Sequence, residues 1–196
     1  MNEDVTTTST VALLGGSFDP PHVCHLLLSS YVRQVCAVDE VWWLPCSSHA
    51  FGKQSAPFED RVALCERATR HRRDMRVCRV EAELPDPSYT IDTIAALRAQ
   101  HPRTAFVWIA GSDLMGELDR WHRCPELLKS LPFIVVRRGE TWVDPPPQGH
   151  FDVLPLQFPD LSSTQVREAI ERDDDVGGLV DGSVLEEIRR RGLYRS

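Results

Sequence analysis

The sequence predicts an α/β fold: a doubly wound parallel sheet with a small C-terminal helical part. Three observations carry this. Short, continuously apolar runs recur along the chain: Val11-Ala12-Leu13-Leu14, Val41-Trp42-Trp43-Leu44, Phe106-Val107-Trp108-Ile109-Ala110 and Phe133-Ile134-Val135-Val136. Segments with apolar residues at helical spacing separate them. Each run is followed by an unusual turn or loop: GGSFDPPH, SSHAFGK, GSD and RRG. Continuous apolar strands belong to a sheet covered on both faces, and strand–helix alternation makes such a sheet parallel. The 196 residues suit one α/β domain, and 42% hydrophobic content is enough for a core with no metal or disulfide staple.

Taken in order, residues 1–10 are expected to be a flexible tail and 11–196 a single domain. The first strand spans about 11–15. Leu26, Leu27, Tyr31 and Val35 fall near helical period and predict a helix over 23–36. The second strand, 41–44, is stopped by Pro45, and the polar stretch 46–57 is long enough to suggest a functional loop. Residues 58–71 read as a helix with Val62, Leu64, Cys65 and Ala68 facing in. A strand over 75–80, a Pro85/Pro87 loop and a helix over 90–99 follow. The strand 106–110 ends in a turn at 111–113, and 133–136 ends in Arg137-Arg138-Gly139. Pro145-Pro146-Pro147 is a rigid spacer, 151–156 a last strand, and helices open at 162–164 and run over 184–191. Trp42, Trp43 and Trp108 are assigned to the core, and the acidic run 171–175 to a solvated turn.

The net charge of -7 argues against non-specific nucleic-acid binding, so positive charge for a polyanionic ligand has to be local. No apolar run approaches the roughly 18 residues of a membrane span, and MNEDVTTTST has neither the basic nor the apolar region of a signal peptide. The six cysteines are scattered, with no C-x-x-C pair, which points to a reducing cytoplasm rather than disulfides or zinc.

In an open parallel sheet, ligands bind beyond the carboxyl ends of the strands. There the stretch GGSFDPPHVCH (15–25) carries two imidazoles. Turn chemistry alone accounts for Gly15, Gly16, Asp19, Pro20 and Pro21. It does not account for His22 and His25, three apart on one face of a helix start. Neither G-x-G-x-x-G nor G-x-x-x-x-G-K-[ST] is present. Two imidazoles there can each donate an N–H to phosphate oxygens, reinforced by the helix terminus. The plainer alternative has His22 capping the turn and His25 partly buried. A second anion signal is SSTQVR (162–167), where Ser162 and Gln165 have capping-box spacing and Arg167 lies one turn on. Its plainer alternative is an ordinary capped helix with a surface arginine.

GGSFDPPHVCH resembles the nucleotide-binding signature of the α/β-phosphodiesterase nucleotidyltransferases, a Rossmann-like superfamily, and LSSTQVR resembles their C-terminal signature. Within it the chain is similar to the bacterial nicotinate-nucleotide adenylyltransferases. Further matches occur in the family's order: FEDRVALCERA (58–68), SYTIDTIAALRAQHP (88–102), FVWIAGSDLMGELDRWHRCPELL (106–128), FIVVRRG (133–139) and the closing GLY (192–194). The resemblance implies adenylyl transfer from ATP, with Mg²⁺ on its phosphates, to nicotinate mononucleotide. Residues 11–196 would then be one nucleotidyltransferase domain that works without a protein-held metal, nucleic acid or membrane. A homo-oligomer is compatible with it.

Residue by residue, the resemblance implies that Gly15, Gly16, Ser17 and Phe18 line the nucleotide and that His22 and His25 hold the ATP phosphates. Gly111 and Asp113 lie at the adenosine. Ser163, Thr164 and Arg167 bind the phosphates that leave as pyrophosphate. Lys53 and Arg138 meet phosphates on the acceptor side, and Tyr89, Thr90 and Trp121 form the pyridine pocket. Trp121 has a competing role as an anchor on the core. There are two departures. Cys24 stands where the family usually has glycine, which suggests a shifted purine. SSHAFGK replaces the usual P-P-H-[KR], so His49 takes the histidine place and Lys53 is displaced. The rival readings are the same chemistry on nicotinamide mononucleotide, phosphopantetheine or another phosphate-bearing acceptor, and a non-catalytic nucleotide-binding protein.

Overall fold

The apolar runs pair side by side into one sheet. The computed structural model describes residues 9–47, 55–138 (Arg138 by its backbone) and 142–195. The elements are β1 (Ser9–Gly16), α1 (Val23–Val35), β2 (Glu40–Pro45), α2 (Phe58–Thr69), β3 (Met75–Val77), α3 (Thr90–Gln100), β4 (Thr104–Gly111), α4 (Cys124–Ser130), β5 (Phe133–Arg138), β6 (Phe151–Phe158), α5 (Ser163–Glu171) and α6 (Gly182–Arg191). The strand order is β3-β2-β1-β4-β5-β6, and every pair is parallel.

Alternate residues of each strand feed two cores. Val11 and Leu13 join Trp42, Leu44, Phe106 and Trp108 on the face covered by α3 and α4. Ala12 and Leu14 join Trp43, Val107 and Ile109 on the face covered by α1, α2, α5 and α6. This two-sided burial is why the strands are apolar throughout. The chain winds outward from β1 through β2 to β3, then returns to β4 on the other side of β1 and continues to β6. The direction reverses at the β1/β4 pair, so a crevice opens beyond Gly16 and Gly111. Among the described residues no helix is long and apolar enough to cross a membrane.

Several boundaries differ from the sequence-based expectation. β1 starts at Ser9, because Ser9 and Thr10 pair with Thr104 and Ala105; those two residues belong to the sheet and not to a tail. β3 stops at Val77, and Val80–Glu83 coils into a 3-10 turn that buries Val80 and Glu81. β4 leads not into a simple turn but into a 3-10 stretch, Ser112–Arg120, which buries Met115 and Leu118. α4 follows, too short at seven residues to show a helical period. β6 runs on to Phe158 despite Pro155. It is an edge strand, where a missing N–H is tolerated, and the register slips around the proline: Leu154 pairs with Val136 but Gln157 with Arg137.

Candidate active site

The loop after β1 is built around Phe18. This residue takes φ 48°, a backbone region that bulky side chains seldom enter. The turn sends its ring inward, stacked on Trp43 at 5.0 Å and against His25 at 4.9 Å. His22 occupies the N-cap position of α1, is 5% exposed and forms a capping box with His25, the turn-capping arrangement the plainer reading expects. Its backbone N–H donates to His25 Nδ1 at 3.1 Å. That assigns the His25 proton to Nε2 and leaves that nitrogen as a donor. The two imidazole rings lie 3.8 Å apart, centre to centre.

The second anion signal comes to this same loop. Ser163 Oγ donates to the Pro20 carbonyl at 2.8 Å, and Arg167 Nη1 donates to the Asp19 carbonyl at 2.7 Å. The contacts join segments 143 and 148 positions apart in sequence. The capping box of α5 is formed: Gln165 N–H donates to Ser162 Oγ at 3.3 Å, and Ser162 N–H to Gln165 Oε1 at 2.7 Å. Arg167 Nη2 also donates to Thr164 Oγ1 at 3.3 Å.

Asp19 is more than the turn residue expected from sequence. Its side chain is buried (4% exposed overall) and its Oδ1 accepts from Ala56 N–H at 3.2 Å and Tyr194 Oη–H at 2.8 Å. Oδ2 lies 3.5 Å from Arg167 Nη1. Arg61, 1% exposed, ties the loops together from below. Its guanidinium donates to the carbonyls of Ser17 (2.7 Å), Cys46 (2.7 Å), Ala56 (2.9 Å) and Ser47 (3.4 Å). A planar fork with five donors suits four carbonyls converging from two loops.

Beside this loop, at the carboxyl ends of β1 and β4, lies a cavity of about 290 Å³. Gly15, Gly16, Tyr89, Thr90, Trp108, Trp121 and His122 are among its walls. Tyr89 stacks on His122 at 4.2 Å, and Trp121 meets Trp108 edge-on at 6.2 Å. A Cβ on Gly15 would lie 2.5 Å from the Trp108 indole, so glycine is required there for steric reasons as well as for access to the backbone. Glu81, in the same wall, accepts from Ser88 Oγ at 3.0 Å, Thr93 Oγ1 at 3.2 Å and Ser47 N–H at 3.4 Å. Burial pushes its carboxyl up, against the pull of these donors.

The family model described as cytidylyltransferase-like matches residues 13–169. A relative from Anaeromyxobacter dehalogenans, named "Probable nicotinate-nucleotide adenylyltransferase", is 42% identical over 189 residues, which cover 94% of this chain and 96% of that protein. One of the same name from Salinibacter ruber is 37% identical, covering 95% and 98%. The chain belongs to the nicotinate-nucleotide adenylyltransferase family. The fold extends to distant sequences: the Plasmodium falciparum nicotinic acid mononucleotide adenylyltransferase complexed with NaAD matches with a TM-score of 0.78 at 19% identity, covering 95% of this chain and 97% of that one.

In this adenylyltransferase, the residues singled out from sequence fall into two groups. His22, His25, Ser163, Thr164 and Arg167 gather at the β1–α1 loop. Gly15, Gly16, Tyr89, Thr90 and Trp121 line the cavity. Gly111 closes β4, and Asp113 stands exposed in the 3-10 stretch after it. Phe18 props His25 with its ring, while the Ser17 carbonyl is taken by Arg61. Trp121 packs on the core, the anchoring role weighed for it, and also walls the cavity. Cys24 Sγ lies 4.0 Å from the Pro159 carbonyl. Lys53 and His49 lie outside the described residues, as does the side chain of Arg138. Sequence reasoning missed Asp19, Arg61, Glu81, His122 and the cavity role of Trp108. For Arg61 a signal existed: it falls on the apolar face of α2 with Leu64, Cys65 and Ala68, where a charge needs an explanation.

Proposed function

We propose that this chain transfers the adenylyl group of ATP to nicotinate mononucleotide, releasing pyrophosphate and forming deamido-NAD, as a cytoplasmic step of NAD biosynthesis. One observation carries this: the start of α5 and Arg167 are bonded to the loop bearing His22 and His25, directly beside an aromatic-walled cavity at the sheet's switch point. An anion site next to a site for a flat ring is what joining two nucleotides requires. The family relatives are named for this activity, and the Plasmodium falciparum enzyme is described in complexes with NaAD and with APC.

The attacking group is the 5′-phosphate of the mononucleotide. Its second pKa is about 6, so it is already ionised at neutral pH. No general base and no covalent intermediate is needed. A phosphate oxygen attacks the α-phosphorus in line as the bond to the departing pyrophosphate breaks. The protein's task is to bring two polyanions together and to stabilise charge on the bridging oxygens. His25 is oriented for this, since its Nδ1 is occupied by the His22 N–H and its Nε2 donates. The Ser163 hydroxyl donates its hydrogen bond to the Pro20 carbonyl, so its phosphate contact runs through its backbone N–H. Arg167 is fixed in direction by Asp19 and offers its remaining N–H groups to the leaving phosphates. Mg²⁺ arrives on ATP, bound mainly by substrate oxygens. The pyridinium ring of the acceptor enters the cavity against Trp121, whose indole face suits a cation.

Pyrophosphate release measured with ATP, Mg²⁺ and nicotinate mononucleotide tests the proposal, with nicotinamide mononucleotide as the comparison. Turnover on the acid, and little on the amide, is expected. Preference for the amide would overturn the substrate. No turnover from a folded sample that binds ATP would support a non-catalytic nucleotide binder.

A further inference from the structure

The closing Gly192-Leu193-Tyr194 remains unused by this chemistry, and it meets the buried Asp19 carboxylate that holds Arg167. α6 ends in a Schellman turn, with Gly192 at φ 64°, Gly192 N–H bonded to the Arg189 carbonyl at 3.2 Å and Leu193 N–H to the Ile188 carbonyl at 3.1 Å. Tyr194 follows at φ 60°, a conformation an aromatic residue seldom adopts. This double left-handed turn brings its hydroxyl to Asp19 Oδ1 at 2.8 Å, across 175 positions of sequence. Burial, and then the Asp19 charge, push the phenol well above its ordinary range, so it remains a neutral donor at any working pH.

The Asp19 carboxylate thus has three attachments: Tyr194 Oη–H, Ala56 N–H and Arg167. Its carbonyl takes a further bond from Arg167 at 2.7 Å. Asp19 stands three residues before His22 on a buried loop. A carboxylate here would oppose an incoming polyphosphate unless its charge were already engaged. It would also draw Arg167 wholly to itself unless another donor shared it. A neutral hydroxyl from the turn after α6 meets both needs.

We propose that Tyr194 is a positioning residue for the triphosphate half of the site: its hydroxyl fixes the Asp19 carboxylate, which in turn fixes the loop carrying His22 and the direction of Arg167. This rests on the adenylyl-transfer reading above. It extends that reading to a segment to which the reading assigned no substrate contact.

Tyr194→Phe keeps the ring and removes one hydroxyl. Its Kd for ATP with Mg²⁺, measured by calorimetry without acceptor, is expected to weaken about 5- to 10-fold, part of the worth of one hydrogen bond to a charged group, because Tyr194 acts through Asp19. KM for ATP should rise with it, while KM for nicotinate mononucleotide stays unchanged. If Tyr194 only docks the chain end, the melting temperature falls while ATP affinity and kcat hold, and the inference is overturned. The Asp19→Ala background supplies a second readout: Tyr194→Phe should then cost no further ATP affinity, because its acceptor is already gone. Additive losses would overturn the relay. Wild-type protein that binds no ATP would overturn the nucleotidyl-transfer reading and this inference together. Wild-type that binds ATP, with Tyr194→Phe binding equally well, overturns this inference alone.

Discussion

At the end proposed to take the triphosphate, contacts join parts of the chain far apart in sequence and finish on buried polar groups: Asp19 with Tyr194 and Arg167, Ser163 with Pro20. At the end proposed to take the acceptor the walls are largely aromatic and come from nearer neighbours, Tyr89 on His122 and Trp121 on Trp108. The difference follows from what each end would hold. Charge on a triphosphate is stabilised only by donors that are already aimed, and long side chains stay aimed only when something else holds them. A flat ring asks for shape and a face, which packed aromatics provide without a network. Substitutions at the first end should therefore act on kcat or on the affinity for ATP, and those at the second on the acceptor's KM.

The largest effect is expected where the two ends are joined. Arg61→Ala leaves four carbonyls without their donor, and chemical denaturation should show a loss of about 3 kcal/mol or more. Arg61→Lys should recover little, because one ammonium cannot span the fork. An undiminished stability in Arg61→Ala would mean the loops are not held from below. Next comes His22→Ala, with kcat lower by about 10²-fold and the acceptor's KM unchanged; an unchanged kcat would return His22 to a turn-capping role. Trp121→Ala should raise KM for nicotinate mononucleotide by roughly 2- to 30-fold while KM for ATP holds. Equal movement of both constants would erase the division.

The smallest effect belongs to a site outside both ends. Glu187 on α6 is held down to about 2 by hydrogen bonds from Arg190 and Arg191. Its ordinary value is 4.5, so the folded state binds this proton more weakly than the unfolded chain. Its contribution to stability is complete above pH 4.5 and fades as the pH falls toward 2. Glu187→Gln should flatten that part of an acid-unfolding curve and leave the ratio of the two KM values alone. A changed ratio would tie the Glu187 ion pairs of α6 to the site.

The two imidazoles were legible because nothing in turn chemistry calls for them. Asp19 was not, because a turn already explained it and its decisive partner, Tyr194, stands 175 positions later. Arg61 was visible in principle as a charge on an apolar helix face. Trp108 reads as core because it is core; that its ring also walls the cavity and bars any side chain at Gly15 depends on packing across β1 and β4. The parallel sheet followed from the alternation of elements. α4 did not, since seven residues carry too little period. The reach of β6 past Pro155 depends on its lying at an edge, which only the assembled sheet decides.

The most direct test is a crystal structure with a non-hydrolysable ATP analogue, Mg²⁺ and nicotinate mononucleotide bound together. The triphosphate is expected between the His22–His25 pair and the start of α5, with the pyridine ring against Trp121 and the acceptor phosphate in line with the α-phosphorus. A triphosphate seated in the aromatic cavity, or bound away from both histidines, would contradict the division of the site.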